Sequence, residues 1–354
     1  MTGHCGSVII NNMIREITEL AKPLELLSLV SERTKTYDFT TWFWGDAIAI
    51  DGLLDAAELL GDQELFDRVE QVYRVWSQRE LTWVDHLTPG LGLLRVAEQS
   101  KSDWYLDTAL ELAQFLSDAP RAQGAPLYRP DIPMYRHMVW VDTIYHVPVF
   151  FAKLGQVTGD AQWFDKAAQE LRCHVELLGS LDGPFLGHSW DTGMNRLHGY
   201  GWGRGVGWAL YGFIETLEYL PKDHDQYKWA LEYVRKLAAA SLPVQDFTGF
   251  WHTLMQDREA YLESSTASFF AAAFARGIRN GFLGSEFQKP LAKAYDATLG
   301  RIDPRGEFWG VSACTYAGVS SMDDVAMYHT LPTEVNVWGQ GSAIRAIAEN
   351  IRGE

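Results

Sequence analysis

The segment from His198 to Trp208 combines residue types that bind acidic sugars. Its sequence is HGYGWGRGVGW, in which glycines alternate with larger side chains. Alternation at period two predicts an extended backbone with Tyr200, Trp202 and Arg204 on one side, while the glycine side can approach another surface closely. Aromatic faces stack on sugar rings, and a guanidinium beside a helix N-terminus holds a carboxylate or a phosphate. The segment therefore indicates a site for an anionic sugar, although buried aromatic residues in a glycine-rich turn would give the same pattern.

Asp142 is a candidate general acid. It stands in the sequence WVDT at the start of a predicted helix, among aromatic and imidazole side chains. Aspartate is a common N-cap residue, so capping alone explains its position. An aromatic environment disfavours the charged carboxylate, however, and raises its pKa above the ordinary value of about 4. A carboxyl group tuned in this way donates protons near neutral pH, so the sequence leaves both roles open.

Three further candidates occur in similar aromatic and polar settings. Asp85 precedes His86 and Pro89, and since proline suits the first turn of a helix, Asp85 is either a cap or a functional carboxylate. His188, in the sequence GHSWD, is either a hydrogen-bond donor to a polar ligand or a structural histidine. Trp44, in the sequence WFWGD before a helix, either borders a cleft or fills the core, with the core slightly favoured.

Metal and nucleotide chemistry lack their motifs in this sequence. It contains no HxxxH pair, no clustered carboxylates and no phosphate-binding glycine loop. Ser189 and Asp191 are too close to His188 in sequence to form a nucleophilic triad with it. The 3 cysteines are far apart and show no CxxC spacing, so neither a disulfide framework nor a zinc site is indicated. We therefore expect no metal and no cofactor.

The elements that position these residues are predicted to be helices. Apolar residues recur at i, i+3 and i+4 in about a dozen segments, among them 46–60, 139–155 and 206–220. Short breaks such as those at 61–62 and 158–160 predict that consecutive helices pack as antiparallel pairs. The candidate residues fall mostly in long connecting segments, at 79–88, 118–138, 179–205, 242–263 and 301–337.

Helices arranged in short-loop pairs predict an all-α fold, an (α/α)6 barrel of six helical hairpins. One helix of each pair would lie inside the ring, and the long loops would gather at one end around a cleft. The composition does not shift along the chain, so we predict one catalytic domain over residues 1–354. The alternative is an open helical solenoid, against which the absence of a strict sequence repeat argues.

The composition limits the classes of partner. A net charge of −16 opposes binding to nucleic acid and to anionic membrane surfaces, because both require a basic face. The sequence has no apolar run of about 18 residues and no N-terminal basic segment followed by an apolar one, so we expect a cytoplasmic protein without a membrane span. Aromatic residues make up 13% of the chain, which suits either a carbohydrate site or a large helical core.

The ordered motifs resemble glycoside hydrolase family 105, the unsaturated rhamnogalacturonyl hydrolases and their relatives, which is close to the unsaturated glucuronyl hydrolases of family 88. The motifs are WVDT, GHSWD, WGRGVGW, GFWH and YLESSTA, spread over about residues 40–345. The resemblance implies an (α/α)6 barrel that needs no cofactor. It also implies substrates left by polysaccharide lyases, oligosaccharides whose non-reducing end is a 4,5-unsaturated uronic acid. The family pattern has asparagine where this chain has Val206, which bears on the sugar or linkage accepted more than on the reaction type.

The resemblance also implies roles for the candidate residues. Asp142 matches the catalytic acid, which would protonate the C4=C5 double bond of the substrate. Asp142 or Asp85 would then accept a proton from the water that adds at C5. Other residues match positions of the uronate pocket, of which the first two align more loosely: Trp44, His137, His188, Trp202, Arg204 and Trp208.

Three other functions remain open on the residues alone. A hydrolase of saturated uronides would use Asp85 and Asp142 as a carboxylate pair, about 5–5.5 Å or about 6.5–9.5 Å apart. A sugar epimerase on the same barrel would place two histidines, His188 and His252, across the cleft. A non-catalytic sugar-binding protein would leave Asp142 exposed, with an ordinary pKa.

Overall fold

Helices form most of the part of the chain that the structure describes. The computed structural model describes residues 23–39, 44–82, 90–180, 183–315 and 324–353. The α-helices are α1 (Pro23–Thr34), α2 (Trp44–Leu60), α3 (Gln63–Trp76), α4 (Gly90–Ser100), α5 (Asp103–Ser117), α6 (Thr143–Thr158), α7 (Ala161–Leu178), α8 (Gly203–Tyr219), α9 (Tyr227–Ser241), α10 (Ser264–Arg279), α11 (Gln288–Leu299), α12 (Asp324–Thr330) and α13 (Val337–Gly353). None of these helices combines the length and the apolar character that a membrane span requires.

Short strands occupy the connections between helices. They are β1 (Arg121–Ala122), β2 (Ala125–Pro126), β3 (Met138–Trp140), β4 (Gly179–Ser180), β5 (Gly183–Leu186), β6 (Ser189–Asp191), β7 (Arg196–His198), β8 (Trp251–His252), β9 (Leu262–Glu263), β10 (Val311–Ser312) and β11 (Thr333–Glu334). The strands pair antiparallel, as β1–β2, β4–β5, β8–β9, β10–β11 and the three-stranded sheet β3–β6–β7.

Six inner helices form a closed ring, which confirms the predicted (α/α)6 barrel. In order around the ring they are α2, α4, α6, α8, α10 and α13, and α13 packs against α2. Each inner helix carries one outer helix: α3 lies on α2, α5 on α4, α7 on α6, α9 on α8, α11 on α10 and α1 on α13. Five of the pairs are consecutive hairpins, as expected. The sixth is not a hairpin, because the last inner helix pairs with the first helix of the described chain.

Inner and outer helices differ in how many of their faces are buried, and their sequences reflect this difference. In α8, an inner helix, every residue from 203 to 217 is buried, because neighbours surround it on all sides. In α3, an outer helix, the buried residues recur at helical spacing along one face: Leu65, Phe66, Val69, Val72, Tyr73 and Trp76. Helix α8 is thus buried on all its faces, whereas α3 buries one amphipathic face.

The lengths of the connections decide where a site can form. Each hairpin turns from its inner to its outer helix through a short connection, such as Gly61-Asp62, where Asp62 caps α3 by accepting hydrogen bonds from Glu64 and Leu65 N–H. The connections from an outer helix to the next inner helix are long. They therefore gather at the N-terminal ends of the inner helices, which agrees with the prediction that the long loops meet at one end of the barrel.

The second half of the glycine-rich segment is helical, where an extended chain was predicted. Helix α8 begins at Gly203, so Arg204 lies in its first turn, and the expected helix start at 206 is wrong. The close approach expected of the glycines does occur. A Cβ on Gly203 would lie 2.8 Å from Thr266 Oγ1, and one on Gly207 would lie 2.6 Å from Phe269 Cβ. The glycines therefore let α8 pack tightly against α10.

A buried network of arginines and carboxylates joins the inner helices in their C-terminal halves. Arg345 on α13 binds Asp55 on α2 and Glu215 on α8, each at an N···O distance of 2.6 Å. Arg276 on α10 binds the same Glu215 at 2.7 Å. These four side chains are buried. Because a buried charge is stable only while its partners are present, the network links four of the six inner helices.

Candidate active site

A three-stranded sheet brings Asp142 and His188 together. Strand β6 lies between β3 and β7, with Trp140 opposite Ser189. Beyond Trp140, the N–H of Val141 donates to the carbonyl of His188 at 2.9 Å, which continues the pairing up to the residue before Asp142. As a result, His188 Nε2 lies 3.8 Å from Asp142 Oδ2.

Asp142 occupies the N-cap position of α6, but its side chain makes no capping hydrogen bond. It is 2% exposed, and its Oδ2 atom has no hydrogen-bond partner within the described residues. Burial raises the pKa of Asp142 to about 7, even though the nearby positive charge of Arg204 lowers it. Of the two roles that the sequence left open, capping is therefore not used. The environment is that of a carboxylic acid able to donate a proton near neutral pH.

His188 is enclosed as a neutral ring. It stacks on Trp202 with ring centroids 3.8 Å apart and meets Trp140 edge to face at 4.6 Å. Burial lowers the pKa of His188 well below its ordinary value, and the charge of Arg204 lowers it further. Its Nδ1 atom lies 2.5 Å from the hydroxyl of Tyr328, while Nε2 has no hydrogen-bond partner in the described part of the chain.

Arg204 lies beneath these aromatic rings and is fully buried. Its guanidinium is centred 4.7 Å from the ring of Trp202. Nη1 donates to the carbonyl of Ser312 at 3.1 Å and Nη2 to the carbonyl of Ala313 at 3.4 Å, and Glu263 Oε1 lies 3.8 Å from Nη1. The guanidinium therefore anchors the end of β10 and also supplies positive charge at the site.

Trp44 and Trp208 form an aromatic wall between the site and the barrel interior. Trp208 on α8 is fully buried and packs against Tyr145, with centroids 4.9 Å apart. Trp44, the first residue of α2, meets Trp208 edge to face at 6.3 Å and packs on Trp338 at 4.9 Å. The ring of Trp44 also lies 5.9 Å from the guanidinium of Arg204. Trp44 thus packs in the core, at the edge of the site. Packing in the core was one of the two roles expected for it.

His137 lies outside this buried cluster, and two other positions from the sequence analysis, Asp85 and Val206, need separate mention. His137 is exposed ahead of β3, where its carbonyl accepts the N–H of Thr192 at 2.8 Å. Asp85 lies outside the described residues. Val206, where the chain departs from the family pattern, is 1% exposed within α8, and its N–H donates to the carbonyl of Trp202 at 2.9 Å.

Several residues of the site were missed by sequence reasoning. Tyr328 and Ser312 lie in the segment 301–337, which was predicted to be a loop but contains β10, α12 and β11. Glu263 caps α10 and also accepts the N–H of Ser312 at 2.9 Å, which joins β10 to the cap. The signal for Glu263 was its place before a helix in the YLESSTA motif, whereas no local pattern singled out Tyr328.

Several of the unsatisfied buried polar atoms belong to residues around Asp142. Buried polar groups in proteins are almost always hydrogen-bonded, so such a group of atoms marks a place where a polar ligand would supply the missing partners. Within the described residues, the buried atoms without a partner include Trp140 Nε1, Asp142 Oδ2, His188 Nε2, Trp202 Nε1, Arg204 Nε and Trp208 Nε1. Over the same residues, no group of three or more His, Cys, Asp or Glu side chains is arranged to hold a metal ion.

The chain is similar to known proteins over nearly its whole length. Unsaturated rhamnogalacturonyl hydrolase YesR of Bacillus subtilis (strain 168) is 26% identical over 354 residues, which cover 96% of this chain and 98% of that protein. A possible member of the GH105 family from Salmonella enterica serovar Paratyphi A superposes with a TM-score of 0.82 at 21% identity, over 94% of this chain and 95% of that one. Unsaturated glucuronyl hydrolase from Bacillus sp. GL1 superposes with a TM-score of 0.68 at 17% identity, over 91% and 94% of the two chains.

A family model decides the classification. The two solved structures share the helical barrel, and at these identities they bear on the fold alone. The model for Glycosyl Hydrolase Family 88 matches residues 28–353, nearly the whole chain. The resemblance drawn from the ordered motifs is therefore confirmed, and the protein is an enzyme of the glycoside hydrolase class. The chain belongs to Glycosyl Hydrolase Family 88.

Proposed function

We propose that this enzyme removes the terminal 4,5-unsaturated uronic acid from oligosaccharides left by polysaccharide lyases. The observation that carries the proposal is the state of Asp142, a buried carboxyl group whose pKa is raised to about 7 and whose Oδ2 atom faces His188 without a hydrogen bond. The substrate class is supported by the relative YesR, whose name states that it acts on unsaturated rhamnogalacturonyl sugars.

The first step is proton transfer from Asp142 to C4 of the sugar. The C4=C5 double bond is an enol ether, so its electron pair takes the proton at C4 and leaves positive charge at C5, shared with the ring oxygen. A general acid contributes most when its pKa is close to the working pH, which is the effect of burying Asp142. Such assistance is worth about 10²–10⁴-fold in rate.

The second step adds water at C5. The carboxylate of Asp142 takes a proton from that water, which restores the acid, and Asp85 is the other candidate for this role. The product is a hemiketal at C5, whose ring opens to a ketone as the bond between C5 and the ring oxygen breaks. C1 is then a hemiacetal, which releases the rest of the oligosaccharide as an alcohol and becomes an aldehyde. No nucleophile attacks C1.

Arg204, His188 and Trp202 orient the sugar for these steps. Both Nη atoms of Arg204 are bound to the carbonyls of Ser312 and Ala313, so the guanidinium attracts the uronate carboxylate through its charge and its unpartnered Nε–H. His188 offers Nε2 as a hydrogen-bonding group beside the acid. Positioning of this kind reduces the entropy that must be lost at the moment of reaction.

The competing functions are less consistent with the site. A sugar-binding protein would leave Asp142 exposed with an ordinary pKa, and neither condition holds. In an epimerase, His188 and His252 would face each other. In the structure, His252 Nδ1 instead contacts the carbonyl of Ala260 at 2.6 Å, and His188 Nδ1 contacts Tyr328. A two-carboxylate hydrolase would differ from the proposed enzyme in its substrates, because it would cleave saturated uronides.

An absorbance assay tests the proposal. The double bond of an unsaturated uronate absorbs in the ultraviolet, and hydration removes the absorbance. We expect loss of absorbance with at least one unsaturated disaccharide from a panel derived from pectin, glycosaminoglycans and ulvan, and no hydrolysis of the matching saturated uronides. Cleavage of the saturated sugars with no change in the unsaturated ones would contradict the proposed function and favour the two-carboxylate mechanism.

The rate should fall as the pH rises through about 7. Asp142 must be protonated to act as the acid, and since its pKa is about 7, the active form is lost above that value. We expect kcat/KM to decrease by about tenfold per pH unit on the alkaline side. Initial rates measured between about pH 5 and about pH 9 check this, and a rate that increases throughout that range would exclude Asp142 as the acid.

A further inference from the structure

We propose that Tyr328 is a positioning residue that holds His188 in the neutral tautomer with its proton on Nε2, so that the imidazole presents an N–H group to Asp142 and the sugar. This inference rests on the proposed function, in which Asp142 is the acid. Nothing in the motifs pointed to Tyr328, since it lies on the short helix α12 in a segment predicted to be a loop.

The contact with Tyr328 decides which nitrogen carries the proton. The tyrosine hydroxyl lies 2.5 Å from His188 Nδ1, and both side chains are fully buried. A phenol is a stronger hydrogen-bond donor than the N–H of a neutral imidazole, and the unprotonated ring nitrogen is a stronger acceptor than a phenol oxygen. The O–H of Tyr328 therefore donates to Nδ1. Since the neutral ring carries one proton, that proton lies on Nε2.

Because Nε2 faces Asp142, the tautomer of His188 affects the acid directly. Nε2 lies 3.8 Å from Asp142 Oδ2, and neither atom has another hydrogen-bond partner within the described residues. An Nε2 lone pair at this place would accept the proton of Asp142 and hold it away from the sugar. An N–H at the same place cannot accept that proton. Instead it stabilises the carboxylate that forms as Asp142 gives its proton to C4.

The backbone provides the space for this contact. Gly199 follows strand β7 with φ of +61°, and a Cβ built there would lie 2.2 Å from the hydroxyl of Tyr328 and 2.8 Å from Cβ of His188. Any larger residue would push the phenol and the imidazole apart. The backbone N–H of His188 also donates to the carbonyl of Gly199 at 3.1 Å, which fixes the histidine relative to this turn. One glycine of the HGYGWGRGVGW segment thus serves the contact between Tyr328 and His188.

The charges around His188 keep it neutral in either tautomer. Asp142 faces it from the start of α6, Arg204 from α8, His198 from β7 and Tyr328 from α12. Burial, Arg204 and His198 all disfavour the imidazolium form. Removal of the Tyr328 hydroxyl should therefore leave a neutral ring that can move its proton to Nδ1, rather than a charged ring.

Two substitutions on the same helix test the inference. In Tyr328→Phe we expect kcat to fall about 10- to 100-fold, the loss typical when a partner that orients a metal-binding histidine is removed, with little change in KM. The alkaline limb of the pH profile should also move to higher pH, because Asp142 loses the N–H that stabilises its carboxylate. The control is His329→Asn, which removes the 2.8 Å contact of His329 Nε2 with Asp257 Oδ2 and so loosens α12 without touching His188. We expect it to keep nearly full activity and an unmoved alkaline limb.

A purely structural role for Tyr328 would give a different pattern. Both variants would then lose activity, and neither would shift the pH profile. That result, or full activity in Tyr328→Phe, would overturn the inference.

The tautomer can also be read directly without any substrate. In protein labelled with ¹⁵N-histidine, NMR distinguishes a ring protonated on Nε2 from one protonated on Nδ1, and the His188 signals are assigned by their absence in His188→Gln. We expect the Nε2–H form in the parent protein and a mixture in Tyr328→Phe. An Nδ1–H form in the parent protein would contradict the inference whatever the enzyme acts on. Absence of activity on all unsaturated uronides, with the Nε2–H form present, would instead contradict the proposed function alone.

Discussion

Replacement of Asp142 by asparagine should lower kcat on unsaturated disaccharides by about 10²–10⁴-fold while leaving the fold intact. Asparagine has the same shape but no proton to give to C4, so the step that begins hydration loses its acid. This factor corresponds to about 3–5.5 kcal/mol of transition-state stabilisation. The measurement is the initial rate of absorbance loss at saturating substrate, with circular dichroism to verify folding.

The matched control for this variant is Asp51→Asn. Asp51 on α2 is also buried, burial raises its pKa to about 7, and Tyr145 donates to it at 2.9 Å. It belongs to the barrel interior and has no part in the proposed mechanism, so we expect its variant to retain most of the activity. Equal losses in the two variants would show that any buried carboxyl matters. Full activity in Asp142→Asn would exclude Asp142 as the acid.

The same substitution should stabilise the protein at alkaline pH. The folded-state pKa of Asp142 is about 7, against an ordinary value of 3.8, so between these values the native state binds more protons than the unfolded state. Stability is then lost as the pH rises from about 4 to about 7, by up to about 4 kcal/mol for this group. The amide of the Asp142→Asn variant does not ionise and carries no such cost. We therefore expect the variant to have an equal or higher melting temperature than the parent protein at about pH 8.

Replacement of Arg345 by methionine should lower the free energy of unfolding by about 3–5 kcal/mol. Arg345 is 1% exposed and binds Asp55 and Glu215 at 2.6 Å each. Methionine fills much of the volume but leaves both carboxylates with one buried partner fewer. Arg276 still binds Glu215 at 2.7 Å, so the network is weakened rather than removed. Denaturant unfolding of the purified variants measures the change.

A surface ion pair provides the control for Arg345→Met. Arg305 binds Asp303 at 3.0 Å and Glu307 at 2.6 Å, but its side chain is 69% exposed. Exposed pairs contribute about 0–1 kcal/mol, so Arg305→Met should change stability little. A loss in Arg345→Met no larger than in this control would mean that the buried network does not support the ring.

The fold class was predictable because it depends on local patterns. The spacing of apolar residues reports how many sides of each helix are covered, and short breaks such as Gly61-Asp62 force consecutive helices to pack side by side. The pairing of α13 with α1 was not predictable, since the two helices lie at opposite ends of the chain. The start of α8 was also predicted wrongly, because glycine alternation before Trp208 imitates a strand, whereas Gly203 and Gly207 allow close packing of helices.

The candidate site was predictable only in its residue types. Asp142 and His188 were selected by their aromatic and polar neighbours in sequence, but their 3.8 Å approach results from the pairing of β3 with β6. Arg204 was predicted to project from an extended chain, but it lies in the first turn of α8. Its hydrogen-bond partners, Ser312 and Ala313, lie 108 and 109 residues further along the chain. Local sequence cannot indicate such partners.

The sequence by itself determined a fold of paired helices, the gathering of the long connections at one end, and a short set of candidate residues that includes Asp142. These follow from periodicity, loop length and side-chain chemistry, which act over neighbouring residues. Only the tertiary structure decided that Asp142 is a buried acid with no capping bond, that Arg204 anchors β10, and that Tyr328 contacts His188. The physical reason is that desolvation and hydrogen bonding in the interior depend on groups from helices and strands that are far apart in the chain.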